Sequence, residues 1–138
     1  MPYRLLPDVA LADIAFEADS ASLGGLFESS GRALTDIMVD RKTLRAKVAK
    51  TIRLEGGDSD RLLYDFLTEL IVLKDVDSLL FKEFRVQVKE NSLSASLKGE
   101  EIDRGRHGLR NDVKAVTMHM FGVRREGPRW KATVVLDI

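Results

Sequence analysis

The chain reads as an α+β domain, a largely antiparallel sheet of six to seven strands covered by two helices. Three observations predict this. Only two stretches carry apolar residues at three- and four-residue steps, the spacing of one helix face. Most of the remainder alternates apolar and polar residues, the period of a half-buried strand. Neighbouring strands are joined mostly by short turn signals and do not alternate regularly with helices, which argues against a parallel doubly wound sheet. With 138 residues, 44% of them hydrophobic, and no visible repeat or linker, the chain is expected to form a single domain over 1–138.

Taken in order, Tyr3 to Leu6 is a short edge strand stopped by Pro7, which cannot donate to a ladder. Ala12 to Ala18 alternates, with Ile14, Phe16 and Ala18 on one side and Asp13, Ala15 and Glu17 on the other. Ser22 caps a first helix whose apolar face is Leu23, Leu26, Phe27, Leu34, Ile37 and Met38. Its glycines, Gly24, Gly25 and Gly31, are poor helix formers, so this helix must lean on tertiary packing, and they lack the spacing of a dinucleotide loop. Lys42 to Leu54 is predicted as a strand, ended by Gly56-Gly57. Asp58 or Ser59 caps the second helix, with Leu62, Leu63, Phe66, Leu67, Leu70 and Ile71 as its stripe. Asp75 and Asp77 are expected in the following turn, because acids oppose the dipole at a helix C-terminus. Leu79 to Val88 and Ser92 to Lys98 form a hairpin about Lys89-Glu90-Asn91. Gly99 to Asp112 is a polar loop.

Val113 to Ile138 is the final hairpin. A turn centred near Arg125-Glu126 sets Phe121 opposite Trp130, Val116 opposite Val135 and Lys114 opposite Asp137. One face (Thr117, Phe121, Trp130, Val134, Leu136) then packs, and the other carries Lys114 and Asp137 together at its open end. His119 falls on the packed face.

Charged residues make up 32% of the chain and cancel, so no overall basic footprint marks it as a protein that coats nucleic acid. A local basic loop remains, with Arg104, Arg106, His107 and Arg110. Cysteine is absent, which removes disulfides, thiolate metal sites and a cysteine nucleophile. The start lacks a signal-like apolar run and no window is long enough to span a bilayer, so a cytoplasmic protein with no membrane partner is expected. No paired-histidine metal motif, nucleophile elbow or P-loop is present. His107 reads by default as a surface residue. The chemistry left is that of carboxylates, which suit hard cations such as calcium, magnesium or manganese. Asp137 stands beside the main-chain oxygens of Ile138. On pattern alone, a solvated chain end and a surface Lys114–Asp137 pair are the default, and a metal site is the alternative.

Five segments in order resemble the archease family. Val113-Lys114-Ala115-Val116-Thr117-Met118-His119 is similar to its "VKAIT-x-H", with His107 seven residues before the lysine. Trp130 and Asp137-Ile138 resemble its closing "W…DI". Leu63 to Leu70 is similar to "LYNFLEEL", Ala12-Asp13-Ile14 to the "ADIG" of "HTADIG", and Ala33 to Asp40 to the end of its first helix. The chain departs from the pattern at Ala10-Leu11, where the family has His-Thr, at Ala15 in place of glycine, and at Met118 in place of tyrosine. The resemblance implies a non-catalytic activator of the tRNA-splicing RNA ligase. It implies promotion of guanylylation of the ligase histidine, with GTP used by the ligase and a divalent metal, and tRNA contacted only through the ligase. Carried over, the metal ligands are Asp13, Asp137 and Ile138, and the activating residue is Lys114. An extension after Ile138 is then expected to impair activity. The alternatives are a stand-alone metal-dependent phosphoester hydrolase, or a chaperone or RNA-binding module using Arg104 to Arg110.

Overall fold

The computed structural model describes residues 3–6 and 13–138; Pro7 and Ala10-Leu11 lie outside the described residues. The strands are β1 (Tyr3–Leu6), β2 (Asp13–Ser20), β3 (Val48–Glu55), β4 (Leu79–Lys89), β5 (Ser92–Glu101), β6 (Ala115–Glu126) and β7 (Arg129–Asp137). The helices are α1 (Leu23–Met38) and α2 (Ser59–Asp77). The class is α+β and every described strand pairing between elements is antiparallel, but there are two sheets, ordered β1-β2-β7-β6 and β3-β5-β4. Both helices touch strands of both sheets, so they fill the space between them. No helix among the described residues is long and apolar enough to cross a membrane.

This middle position explains the composition of α1. It is buried nearly all round, and its small residues Ser29, Ser30, Gly31, Ala33 and Thr35 are buried beside Leu26, Phe27 and Leu34. The buried hydroxyls of Ser30 and Thr35 donate to carbonyls one turn back, Leu26 O and Gly31 O, at 2.8 and 2.9 Å, as a buried polar group requires. Ser22 caps the helix, its hydroxyl accepting from Gly25 N. Gly24 has a packing reason: a Cβ there would stand 2.6 Å from the Val86 carbonyl oxygen of β4. Glu28 accepts from Val86 N–H at 2.9 Å, so α1 closes the free edge of β4 that would otherwise invite pairing.

Asp58 caps α2, accepting from Arg61 N–H. Phe66 of α2 meets Phe27 of α1 with ring centroids 6.0 Å apart, joining the helices in one core cluster. The helix runs further than the sequence predicts. Asp75 and Asp77 belong to its last turn, which ends at Ser78 in the left-handed region. Cations compensate for the dipole: Lys74 contacts Asp75 at 2.7 Å and Lys50 reaches Asp77 at 4.0 Å.

Two other expectations are corrected. The predicted strand from Lys42 starts only at Val48, because Asp40 caps a 3-10 turn at Arg41–Thr43, accepting from Lys42 N–H. In the final hairpin, Glu126 pairs with Arg129 and Trp130 faces Arg125, not Phe121. The register breaks between Thr117 and Gly122, where Met118, His119, Met120 and Phe121 oppose a single residue of β7. Met120 adopts a positive φ of 55° in this bulge. His119 is therefore exposed, not packed, while Phe121 turns in to meet Tyr64 of α2 edge-to-face at 5.6 Å.

Candidate functional site

Strands β2 and β7 are the central pair of the four-stranded sheet, and their register sets Asp13 directly opposite Asp137. Cross-strand partners project to one face with Cβ atoms about 4.5–5.5 Å apart. Alternation chooses the face. Ile14, Phe16, Val134 and Leu136 pack in the core, so Asp13 and Asp137 project from the outer side. Asp13, Asp137 and Ile138 are each half-buried. The next pair on the same face, Ala15 and Val135, is wholly inaccessible. The two carboxylates thus stand at the border of an apolar floor, where like charges repel more strongly than in open water. Among the described residues no third His, Cys, Asp or Glu side chain completes a metal cluster. The donors on offer are two carboxylates and the main-chain carbonyl of Ile138, an all-oxygen set that fits a hard cation keeping part of its water shell.

Lys114 lies one residue away from its predicted place. Ala115, not Lys114, pairs with Asp137. Lys114 is held by its backbone instead: its N–H donates to the Asp137 carbonyl at 2.8 Å, and its side chain is exposed. The predicted Lys114–Asp137 surface pair gives way to this main-chain tie. The turn lies further along than predicted, which alone would shift the pairing by four residues, and the three-residue excess of the β6 bulge cancels all but one of that shift.

One supporting residue has no counterpart in the sequence reading. Lys74 is buried, 8% exposed, at the end of α2. Its ammonium donates to Asp112 Oδ1 at 2.5 Å and to the Val113 carbonyl at 2.8 Å, and it contacts Asp75. Burial alone would lower the Lys74 pKa, but the Asp112 and Asp75 carboxylates outweigh it and hold it above the ordinary lysine value. The residue before Lys114 is thereby fixed by a buried charge. A signal was present: Lys74 falls four residues after Leu70 and seven after Leu67, on the apolar stripe.

His107, expected at the surface, is buried. Asp103 N–H donates to its Nδ1 at 2.9 Å, which leaves the proton on Nε2, 2.7 Å from Glu100 Oε1. Glu100 also accepts from Arg45 N–H and pairs with Arg106 at 2.6 Å. Arg106, then the His107 hydrogen bond, hold the Glu100 carboxyl down at about 2. This cluster pins the basic loop to β5, so His107 is an anchor. The sign of its pH effect follows. A depressed carboxylate contributes stability that is fully present above its ordinary value near 4.5 and is lost as pH falls toward 2. Urea unfolding at stepped pH should show the native chain losing stability across that window. Glu100→Gln should be less stable at neutral pH and show a shallower acid slope.

A family model described as the Archease protein family (MTH1598/TM1083) matches residues 3–138. The protein archease of Pyrococcus abyssi is 34% identical over 132 residues, covering 92% of this chain and 93% of that protein. The protein archease of Methanothermobacter thermautotrophicus is 35% identical over 131 residues, with 92% and 93% covered. Both are named for the family and not for a reaction. The solution structure of Methanobacterium thermoautotrophicum protein 1598 matches with a TM-score of 0.87 and 34% identity over 99% of both chains. A crystal structure described as an archease, possible chaperone, from Thermotoga maritima shares the fold, with a TM-score of 0.68 at 21% identity over 96% of both chains.

Proposed function

Because the chain belongs to the archease family, we propose that it is a non-catalytic activator of the GTP-dependent tRNA-splicing RNA ligase, promoting guanylylation of the ligase histidine and so sustaining turnover. The observation that carries this reading is the pairing of Asp13 with Asp137 across the two central strands. Like charges directly opposite each other destabilise a sheet. A pair held there at the border of an apolar floor calls for a compensating cation. Asp13 and Asp137 would hold a divalent metal, calcium, magnesium or manganese, with the main-chain carbonyl of Ile138. When bound, that ion would supply positive charge to the phosphates of the GTP used by the ligase, in a reaction governed mostly by positioning and charge neutralisation.

The chain's own part is placement. The β2–β7 ladder fixes the separation of the two carboxylates. The Lys114 amide, bonded to the Asp137 carbonyl, and the Lys74 clamp on Val113 set where the Lys114 side chain starts. Lys114, exposed at the residue whose amide bonds the Asp137 carbonyl, adds a mobile positive charge for a phosphate or for an acidic group of the ligase. The tip docks at the ligase active site, and tRNA reaches this tip only through the ligase. The test is single-turnover guanylylation of the cognate ligase with and without this protein, in GTP and divalent metal. Acceleration is expected. An unchanged rate, or phosphoester turnover by this protein alone, would overturn the reading.

A further inference from the structure

The outer face of the three-stranded sheet takes no part in the acidic tip, and its register writes a regular pattern. Across β3, β5 and β4 its rows are Glu55–Ser92–Lys89, Arg53–Ser94–Gln87, Thr51–Ser96–Arg85 and Ala49–Lys98–Glu83. Each row holds one cation, three of the four central positions are serines, and every one of these residues except half-buried Ser92 is exposed. Rows on one face follow each other at about 6.8 Å, two residues of strand rise.

The charges here are unspent, in contrast to the outer face of the other sheet. There Arg124 meets Glu17 at 3.0 Å and Glu126 at 2.6 Å, Lys131 meets Glu126 at 3.3 Å, and Arg4 meets Glu17 at 3.5 Å. Among the described residues Arg53, Arg85, Lys89 and Lys98 enter no such ion pair. The two acids of the pattern, Glu55 and Glu83, sit at diagonally opposite corners and leave the middle rows free of acids. The basic loop is less available: Arg106 is committed to Glu100 and the Thr43 carbonyl, and Arg110 to the Asp36 carbonyl. Beyond the last row, Lys47 and Arg104 border an open concavity of about 840 Å³.

We propose that this face binds the phosphate backbone of single-stranded RNA. Repeated cations flanking small hydroxyls suit a ligand with one negative charge per nucleotide. Arginine forks and serine hydroxyls are good phosphate partners. The face carries no aromatic residue, so bases have no stacking platform and binding is independent of sequence. A concavity of about 220 Å³ on this face is bordered chiefly by its charged and polar residues, among them Arg53, Gln87, Lys89 and Ser94, and no large apolar side chain belongs to the four rows for a peptide or a lipid surface to use. The proposal is independent of the ligase reading, because it concerns this protein alone with RNA.

The test is fluorescence anisotropy of a short labelled oligouridylate between ~50 and ~200 mM salt. With about four phosphates neutralised, log K should fall against log salt with a slope near −3, roughly a fiftyfold loss over that range. Arg53→Glu/Arg85→Glu should weaken binding at least tenfold and cut the slope by about 1.4. Arg4→Glu/Arg61→Glu, the same charge change elsewhere, should change affinity less than threefold. Thermal melts check folding, and Lys89→Glu/Lys98→Glu probes the same face if the first variant misfolds. The proposal is overturned by equal loss in the face and control variants, by no binding at low salt, or by a polyglutamate peptide binding as tightly as the RNA.

Discussion

Asp13→Asn/Asp137→Asn is expected to abolish stimulation of the ligase while leaving the protein, in chelator, as stable as the native chain or more so. The two effects part because the acids are register partners on one face. Without a cation, two carboxylates at that spacing repel, and amides of the same shape relieve the repulsion. A ligand bound only by the native state stabilises it by about 2.7 kcal/mol at a hundred times its Kd. For a chain of this size that raises Tm by roughly 8–10 °C. Differential scanning calorimetry with calcium, magnesium or manganese should show the rise in the native chain and none in the variant. An equal rise in both would place the cation elsewhere. A variant that still stimulates the ligase in full would remove the acids from the function.

Gly99→Ala is expected to be the most damaging single methyl in the chain. A Cβ at Gly99 would lie 1.9 Å from the Leu80 carbonyl oxygen and 2.6 Å from the Phe81 Cα. Both are backbone atoms, so no side chain can rotate away, and the strand itself must move. β4 already breaks register there, between Phe81 and Glu83. Displacing it also disturbs neighbouring Glu100, on which the loop anchor depends. The cost should reach about 3 kcal/mol or more, a fall in Tm of roughly 10 °C. Gly122→Ala is the control: nothing lies within 4 Å of a Cβ built there, and its effect should stay below about 0.5 kcal/mol. If the two substitutions cost the same, the close approach of β4 and β5 is not what holds this corner.

Local signals were legible where chemistry is local. Ser22 and Asp58 cap the two helices as their residue types predict, and the alternation of Leu93, Ala95 and Leu97 with serines gives β5 its two faces. What could not be read depends on distant partners. One sheet and two are indistinguishable from strand patterns, because only the small buried residues of α1 betray a helix enclosed on both sides. The bulge from Met118 to Phe121 has no composition of its own; it turns His119 out to solvent, and it offsets most of a misplaced turn, so that Lys114 lies only one residue from its predicted place. Asp75 and Asp77 were misplaced because the dipole argument ignored the neighbouring lysines. Asp13 and Asp137 were named together through family resemblance, since alternation alone gave each a solvated edge. Their pairing is a fact of the β2–β7 register.

That register has a consequence for how the molecule comes into being. β7 lies between β2 and β6, so the ladder joining the chain's beginning to its end is also the middle of the sheet. On the ribosome β2 emerges and waits, unpaired along one edge, until β7 has been made more than a hundred residues later. Closing a contact across more than a hundred residues is entropically slow, and such topologies fold late. Truncated or stalled chains can complete the β3-β5-β4 sheet yet never bring the two carboxylates face to face. The acidic tip thus exists only on molecules in which β7 has docked against β2.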